Sequence, residues 1–256
     1  MRFGCCVTPA LIGVAGDAGY DFVELPADTI CPERPEAEFR RVQEELSGAS
    51  IGLEVWSRFP SPEIRICGPT ADWPRLARYA NTALRRIAAL GGSVVTLNSC
   101  ESWAIPEGFD HAEARDQMLE FLRICTAAAR GHGLILGLEP SGAGESDPVG
   151  SLPQAVELAR LANAPEVGVV PNSSRLRSEG ESAFDVTDAG LWLAHVHISA
   201  ADLAPEGPGG DTARELAEAL RLADYDGRIA IQGDWSEPDR QLRESLELAR
   251  SLWADA

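Results

Sequence analysis

Four short apolar runs in this chain each stop at a polar side chain able to bind a ligand. Leu134 to Leu138 ends at Glu139, Val167 to Val170 at Pro171-Asn172, Leu193 to Val196 at His197, and Ile229 to Ile231 at Gln232. Short, bounded apolar runs of this kind read as buried strands rather than helices. A carboxylate directly after such a run is not core packing, because an unpaired buried charge costs on the order of several kcal/mol or more. Strands that are apolar on both faces belong to a parallel sheet covered by helices. In a closed parallel barrel their C-terminal ends converge on one mouth.

The remaining chain supplies the other strands and the helices between them. Arg2 to Val7 reads as the first strand. Asp21 to Leu25 is the second, after a helix carrying Leu11 and Val14, and Ile51 to Val55 is the third, after the helix Glu36 to Leu46. The Pro-rich stretch Arg58 to Pro69 is expected as a long loop of the mouth, where loops carry function. Asp72 to Leu90 repeats Leu76, Tyr79, Ala80, Ala83, Leu84 and Ile87 at helical spacing and is stopped by Gly91-Gly92. Ser93 to Leu97 is the fourth strand, ending at Asn98. Asp110 to Arg130, Leu152 to Leu161 and Phe184 to Gly190 are expected helices. The Pro- and Gly-rich segment Ala200 to Gly210 is a loop, and Asp211 is expected to cap the helix Thr212 to Leu222. Asp226-Gly227 turns into the eighth strand, Arg228 to Ile231, and Leu242, Leu246, Ala249 and Trp253 mark the closing helix. Eight strand–helix units predict one (β/α)8 TIM barrel over residues 1–256, with no domain boundary.

The 256 residues suffice for one such barrel. A net charge of −18 repels a phosphate backbone, so nucleic acid is not an expected partner. No apolar run is long enough to cross a bilayer. The chain opens on a strand with no signal peptide before it, and its six cysteines form no C-x-x-C pair. Reduced thiols in a cytoplasmic protein are therefore expected, and a zinc–cysteine site is not.

The chain resembles the sugar phosphate isomerase/epimerase family, the barrels similar to xylose isomerase. The resemblance spans nearly the whole sequence. It is carried by Gly19-Tyr20-Asp21-Phe22-Val23-Glu24-Leu25, Leu138-Glu139-Pro140, Ala194-His195-Val196-His197-Ile198, Gly207-Pro208-Gly209-Gly210-Asp211 and Tyr225-Asp226-Gly227-Arg228-Ile229. It implies a divalent ion held by Glu, Asp, His and Glu on strands five to eight, the two Glu also moving protons beside a carbonyl. Here the first Glu is Glu139 and the His is His197, but the other two positions hold Asn172 and Gln232. The family's D-x-x-H pattern reads Asn172-Ser173-Ser174-Arg175. DNA-repair endonucleases share the superfamily, but four histidines are too few for their three metal ions.

These departures shape the expectation. Hard cations prefer carboxylate oxygens, so Mn²⁺ or Mg²⁺ at Glu139, Asn172, His197 and Gln232 is expected to be weak or absent. A carboxamide cannot exchange a proton near neutral pH, which leaves Glu139 as acid/base with His197 as its partner. Asn172, Arg175 and Gln232 are expected to orient the substrate, with Arg175 as a stand-in cation near the ion's position. Glu24, Trp56 and Asn98, at the ends of strands two to four, are expected to line the pocket, and Trp103 and Trp235 to stack on a ring. His195 is expected to be a hydrogen-bonded core histidine, and Cys5 and Cys6, on opposite strand faces, to take no part. The expected function is isomerase-, epimerase- or lyase-like chemistry on a small polyhydroxylated or carbonyl-containing molecule. The alternative is a non-catalytic small-molecule-binding or partner protein. Barrels of this resemblance often pair, so a homo-oligomer is left open.

Overall fold

The computed structural model describes residues 1–142, 147–204 and 207–255. Eight parallel strands form one sheet: β1 Arg2–Cys6, β2 Phe22–Pro26, β3 Gly52–Phe59, β4 Val94–Leu97, β5 Ile135–Leu138, β6 Val167–Val169, β7 Val196–Ser199 and β8 Arg228–Gln232. Their order is β6-β5-β4-β3-β2-β1-β8-β7. The bridges Val169 to Leu193 and Asn172 to His197 join the two ends, so the sheet closes on itself. Around it lie α1 Ile12–Ala18, α2 Glu36–Leu46, α3 Trp73–Ala89, α4 Cys100–Trp103, α5 His111–Arg130, α6 Leu152–Ala162, α7 Ser173–Glu179, α8 Asp185–Ala189, α9 Ala200–Leu203, α10 Gly210–Leu222 and α11 Pro238–Asp255. The protein is a (β/α)8 barrel. None of its described helices is long and apolar enough to cross a membrane. All six cysteines are free thiols.

Local chemistry explains the helix starts. Asp72 accepts a hydrogen bond from the Arg75 N–H at 2.9 Å and caps α3, whose first turn contains Pro74. Ser151 and Gln154 form a reciprocal capping box on α6. Asp211 does not cap α10. The Gly209 carbonyl already accepts the Ala213 N–H at 2.9 Å, so the helix begins at Gly210 and Asp211 falls inside its first turn. There its charge still complements the helix dipole. The short helices α4, α7 and α9 interrupt stretches whose pattern shows no helical period. Residues 205–206 of the expected loop lie outside the described residues.

Alternation along the strands sorts the side chains into two shells. Outward residues such as Phe3, Cys5, Val23, Leu25 and Trp56 join the main core beneath the helices. Inside the barrel, Phe22, Val55, Val94 and Ala230 form a separate apolar plug, with Cys6 and Ile135 against it. Below the plug, Arg2 and Arg228 converge on Glu54 at 2.6 and 2.7 Å and seal the N-terminal face. Above it the barrel interior turns polar. Gly4 is required by this packing, since a Cβ there would come within 2.5 Å of three Phe22 ring carbons. Gly4→Ala is expected to destabilise the fold by about 1–3 kcal/mol through overpacking. Urea unfolding would show it, and Phe22→Leu in the same chain should recover part of the loss.

Candidate active site

The polar layer is built from strand-end residues that alternation turns inward. Glu24 on β2 is fully buried. One of its oxygens meets His195 Nε2 at 3.1 Å, and His197 Nε2 reaches both, at 2.9 and 3.1 Å. Thr96 Oγ1 donates to Glu24 at 3.4 Å. Across the barrel, His197 Nδ1 lies 3.0 Å from Glu139 Oε1, in ion-pair range but without hydrogen-bond alignment. Glu139 is held from two further sides. Asn98 Nδ2 donates to its Oε2 at 2.7 Å, and Asn172 Nδ2 to its Oε1 at 2.6 Å. Asn172 Nδ2 also donates to Gln232 Oε1 at 3.0 Å.

Backbone donors set the direction of both asparagines. Asn98 Oδ1 accepts the Arg58 N–H at 2.6 Å. Asn172 Oδ1 caps α7, accepting the Ser174 N–H at 3.0 Å and the Ser174 hydroxyl at 2.8 Å. A peptide N–H can only donate, so each amide must turn its NH2 toward Glu139.

The charges follow. Burial works against the His197 imidazolium, but the carboxylates of Glu139 and Glu24 raise its pKa well above 6.5. Burial likewise opposes ionisation of Glu24 and Glu139. The His197 charge outweighs it at both, helped by histidine hydrogen bonds at Glu24 and by the Asn172 amide at Glu139, and each carboxyl sits below its ordinary range. His195 is lowered by burial and stays neutral against Glu24. The Cys6 thiol is pushed up to about 12, chiefly by burial and then by Glu24.

A cavity of about 470 Å³ opens above this layer at the C-terminal mouth. The β8–β1–β2 side gives it Trp235, Val7, Leu11 and Pro26. The β3–β4 side gives Ser57, Arg58 and Asn98, and Glu24, Cys6 and Gln232 form its floor.

The sequence pattern of the xylose isomerase-like TIM barrel family matches residues 12–252. The chain belongs to this family. Among solved structures it is similar to D-psicose 3-epimerase from Clostridium cellulolyticum H10 in complex with D-tagatose, at 18% identity over 99% of both chains with a TM-score of 0.82. It is also similar to D-allulose 3-epimerase from Methylomonas sp. in complex with D-allulose, at 18% identity over 98% and 96% of the chains and a TM-score of 0.81. A third is the 3-keto-D-glucoside 4-epimerase YcjR from E. coli, at 17% identity over 98% and 99% and a TM-score of 0.78. Among curated proteins, none matches the sequence.

For this member of the family, the expected site residues divide. Glu139, Asn172, His197 and Gln232 meet in one network, and Asn98 and Glu24 join it. Glu24 is the buried link between both histidines as well as part of the cavity floor. Trp56 is not at the mouth. It is fully buried, its indole donates to the Leu53 carbonyl at 3.1 Å, and it packs beside Ile87 and Gly92 under α3. Arg175 is exposed and lies beside Gly142 rather than in the network. Trp103 is buried against Phe121, off the cavity. Cys6 and Arg58 reach the mouth although the sequence reading gave neither a role. Period two from Gly4 places Cys6 inward, and that signal was available.

The ion that the resemblance implies can be tested against these donors. A hard divalent cation needs several oxygen lone pairs turned to one point. Asn172 turns N–H groups there, Gln232 Oε1 accepts from Asn172, and both Glu139 oxygens are engaged. This quartet does not fit such an ion. A second set exists: Cys6, Glu24 and His197 offer ligand atoms within 4.8 Å of one another. Its donor types suit a softer ion such as Zn²⁺, but only after the Glu24–His197 contact opens and the Cys6 proton leaves.

The network predicts a stability profile. His197 has a raised pKa, so its contribution is complete below about pH 6.5 and fades as pH climbs through the folded value. Glu24 and Glu139 have lowered pKa values, so theirs is complete above about pH 4.5 and fades below it. His195, lowered by burial, works the other way below about pH 6.5, so the test lies on the alkaline side: unfolding free energy is expected to fall as pH rises above about 6.5, and His197→Gln to flatten that decline in denaturant titrations across about pH 6 to 9.

Proposed function

We propose that this protein is an acid/base enzyme of the isomerase, epimerase or lyase kind. Its substrate would be a small polyhydroxylated or carbonyl-containing molecule in the mouth cavity, and the reaction would not depend on a tightly held metal at the Glu139 cluster. The observation that carries this is His197 held between the carboxylates of Glu24 and Glu139, with Glu24 on the cavity floor. Glu139 is the group to take a proton from carbon next to a carbonyl. His197 keeps Glu139 ionised before the step and stands as the nearest acid afterwards, with Glu24 fixing its ring. Asn98 on the cavity wall and Gln232 on its floor are placed to orient substrate hydroxyls.

Two further features support the reading. The cavity has an apolar arc and a polar arc, which suits a molecule with a C–H face and a hydroxyl edge. The sugars bound in the similar structures, D-tagatose and D-allulose, are of this class. All 22 basic residues are arginine, so a lysine Schiff base, one usual route for barrel lyases, is closed to this chain.

The second reading, a binding protein without turnover, is favoured by one observation. Glu139 is only 5% exposed, and two amides and an imidazolium already occupy its oxygens. Incubating the protein with ketohexoses and sugar acids in D2O separates the two. The enzyme reading expects NMR-visible exchange of the hydrogen beside the carbonyl, slowed by roughly 10²–10⁴-fold in Glu139→Gln. Ligand binding with no exchange anywhere in the panel would leave the binding reading.

The metal question has its own measurement. Mn²⁺ titration of the native chain is expected to show weak binding. Asn172→Asp with Gln232→Glu replaces two amides by carboxylates, and affinity should rise by at least about tenfold, as ligand charge is added to the site. Stoichiometric tight Mn²⁺ in the native chain would overturn the fit argument.

A further inference from the structure

Arg58 stands at the end of β3 with φ +59, in the left-handed region that a bulky side chain rarely adopts. Two of the other non-glycine residues with positive φ, Asn163 and Asp224, are of types that tolerate it. An arginine is not. Such strain persists where the surroundings impose it, and it gathers at ligand sites. Here the imposing contact is the bond from the Arg58 N–H to Asn98 Oδ1, at 2.6 Å. Asn98 in turn donates to Glu139. The peptide of Arg58 is thus one bond removed from the carboxylate assigned as the base, while the residue itself lines the mouth cavity.

The charges around that cavity are few. Among the described residues, the charged ones lining it are Glu24 and Arg58. Glu24 is matched by His197 behind it. Among the described residues no carboxylate pairs with the guanidinium of Arg58, an exposed residue at the cavity rim. Among the described residues, the polar arc of the cavity therefore carries one cation without a carboxylate partner.

We propose that Arg58 is a specificity-determining residue that recognises a single carboxylate on the substrate, which makes the substrate class a polyhydroxylated carboxylic acid rather than a neutral sugar. The proposal rests on the reading of the mouth cavity as the substrate site. A planar guanidinium fork matches a planar carboxylate with two parallel hydrogen bonds. A phosphate dianion asks for more positive charge than one arginine provides, and among the described residues the cavity lining shows no second cation. Binding at the side chain would also fix the Arg58 backbone, and through Asn98 the orientation of Glu139. Contact with a remote group of the substrate would thereby hold the base in place.

The test uses ligand pairs that differ by one charged group, measured by calorimetric titration of the full chain. D-Glucuronate is set against D-glucose, D-gluconate against D-sorbitol, and D-fructose 6-phosphate against D-fructose, with inorganic phosphate alone as a further probe. At least one carboxylate is expected to bind about tenfold or more tightly than its neutral partner, the scale of one charge-assisted hydrogen bond. The gap should close to within about twofold in Arg58→Gln and Arg58→Gly, since both remove the charged fork. Both variants keep the N–H that holds Asn98. Arg58→Gly should melt no lower than the parent, because glycine takes a positive φ without steric cost. A gain or no loss in stability joined to lost charge selection is what a merely structural arginine would not give. The proposal is overturned if no pair shows a charge gap, or if the gap survives in both variants. A gap confined to the phosphate pair overturns the carboxylate assignment. Tight carboxylate binding without deuterium exchange would sink the acid/base reading and leave Arg58 in its role, whereas exchange on neutral sugars alone would do the reverse.

Discussion

An imidazolium between two buried carboxylates is the contact on which the upper half of this barrel depends. Glu24 and Glu139 come from β2 and β5, and His197 from β7, so the contact crosses the barrel interior rather than running along neighbouring strands. Neither carboxylate could stay ionised at that depth alone. Removing His197 would leave two like charges facing each other in a low dielectric. Aliphatic side chains would fill the same layer at lower risk, as Phe22, Val55, Val94 and Ala230 do one level down. A polar layer set directly under the mouth cavity, above a dry plug, is therefore better explained by chemistry than by stability.

The amides decide what kind of chemistry. An asparagine and an aspartate have almost the same shape, and they differ in whether one edge donates or accepts. In this barrel that edge is not free to choose. The N–H of Arg58 and the N–H of Ser174 take the two carbonyl oxygens, so the NH2 groups of Asn98 and Asn172 face Glu139. The result is a carboxylate held by hydrogen bonds and an ion pair, where coordinating oxygens would hold a cation. The positive charge at the centre of the network belongs to a protonated ring covalently fixed to β7.

Much of this was legible in the sequence. Ending an apolar run at Glu139, Asn172, His197 and Gln232 was enough to bring four residues to one mouth, and period two put His195 behind His197. Two misplacements share one cause. Glu24 pairs in register with Val55 right after Val23 pairs with Leu53, so β3 carries an irregularity at Glu54. Glu54 turns down to Arg2 and Arg228 while Val55 joins the interior plug, and the parity of every later residue shifts. Trp56 is thereby sent to the outer core and Ser57 to the cavity. The strand also continues to Phe59, which brings Arg58 to the mouth at the end of a strand instead of in a loop. A bulge leaves no mark in hydrophobic pattern, because it depends on which partner strand wins the register. Arg175 failed for another reason. Asn172 was read as a strand end, but it also caps α7, and the helix carries Arg175 round to the side of Gly142.

The net charge of −18 repels a negatively charged substrate at a distance, yet repulsion and recognition belong to different length scales. At physiological salt the Debye length is about 8 Å, so carboxylates on the outer helices are largely hidden from a molecule already inside the mouth. What that molecule meets is local: Glu24 neutralised by His197, amide donors from Asn98 and Gln232, and the guanidinium of Arg58. Long-range repulsion slows encounter and does not choose among ligands that have entered. Selection then falls to the few groups lining the cavity, which is why a single strained arginine outweighs the surplus of acidic residues on the rest of the surface.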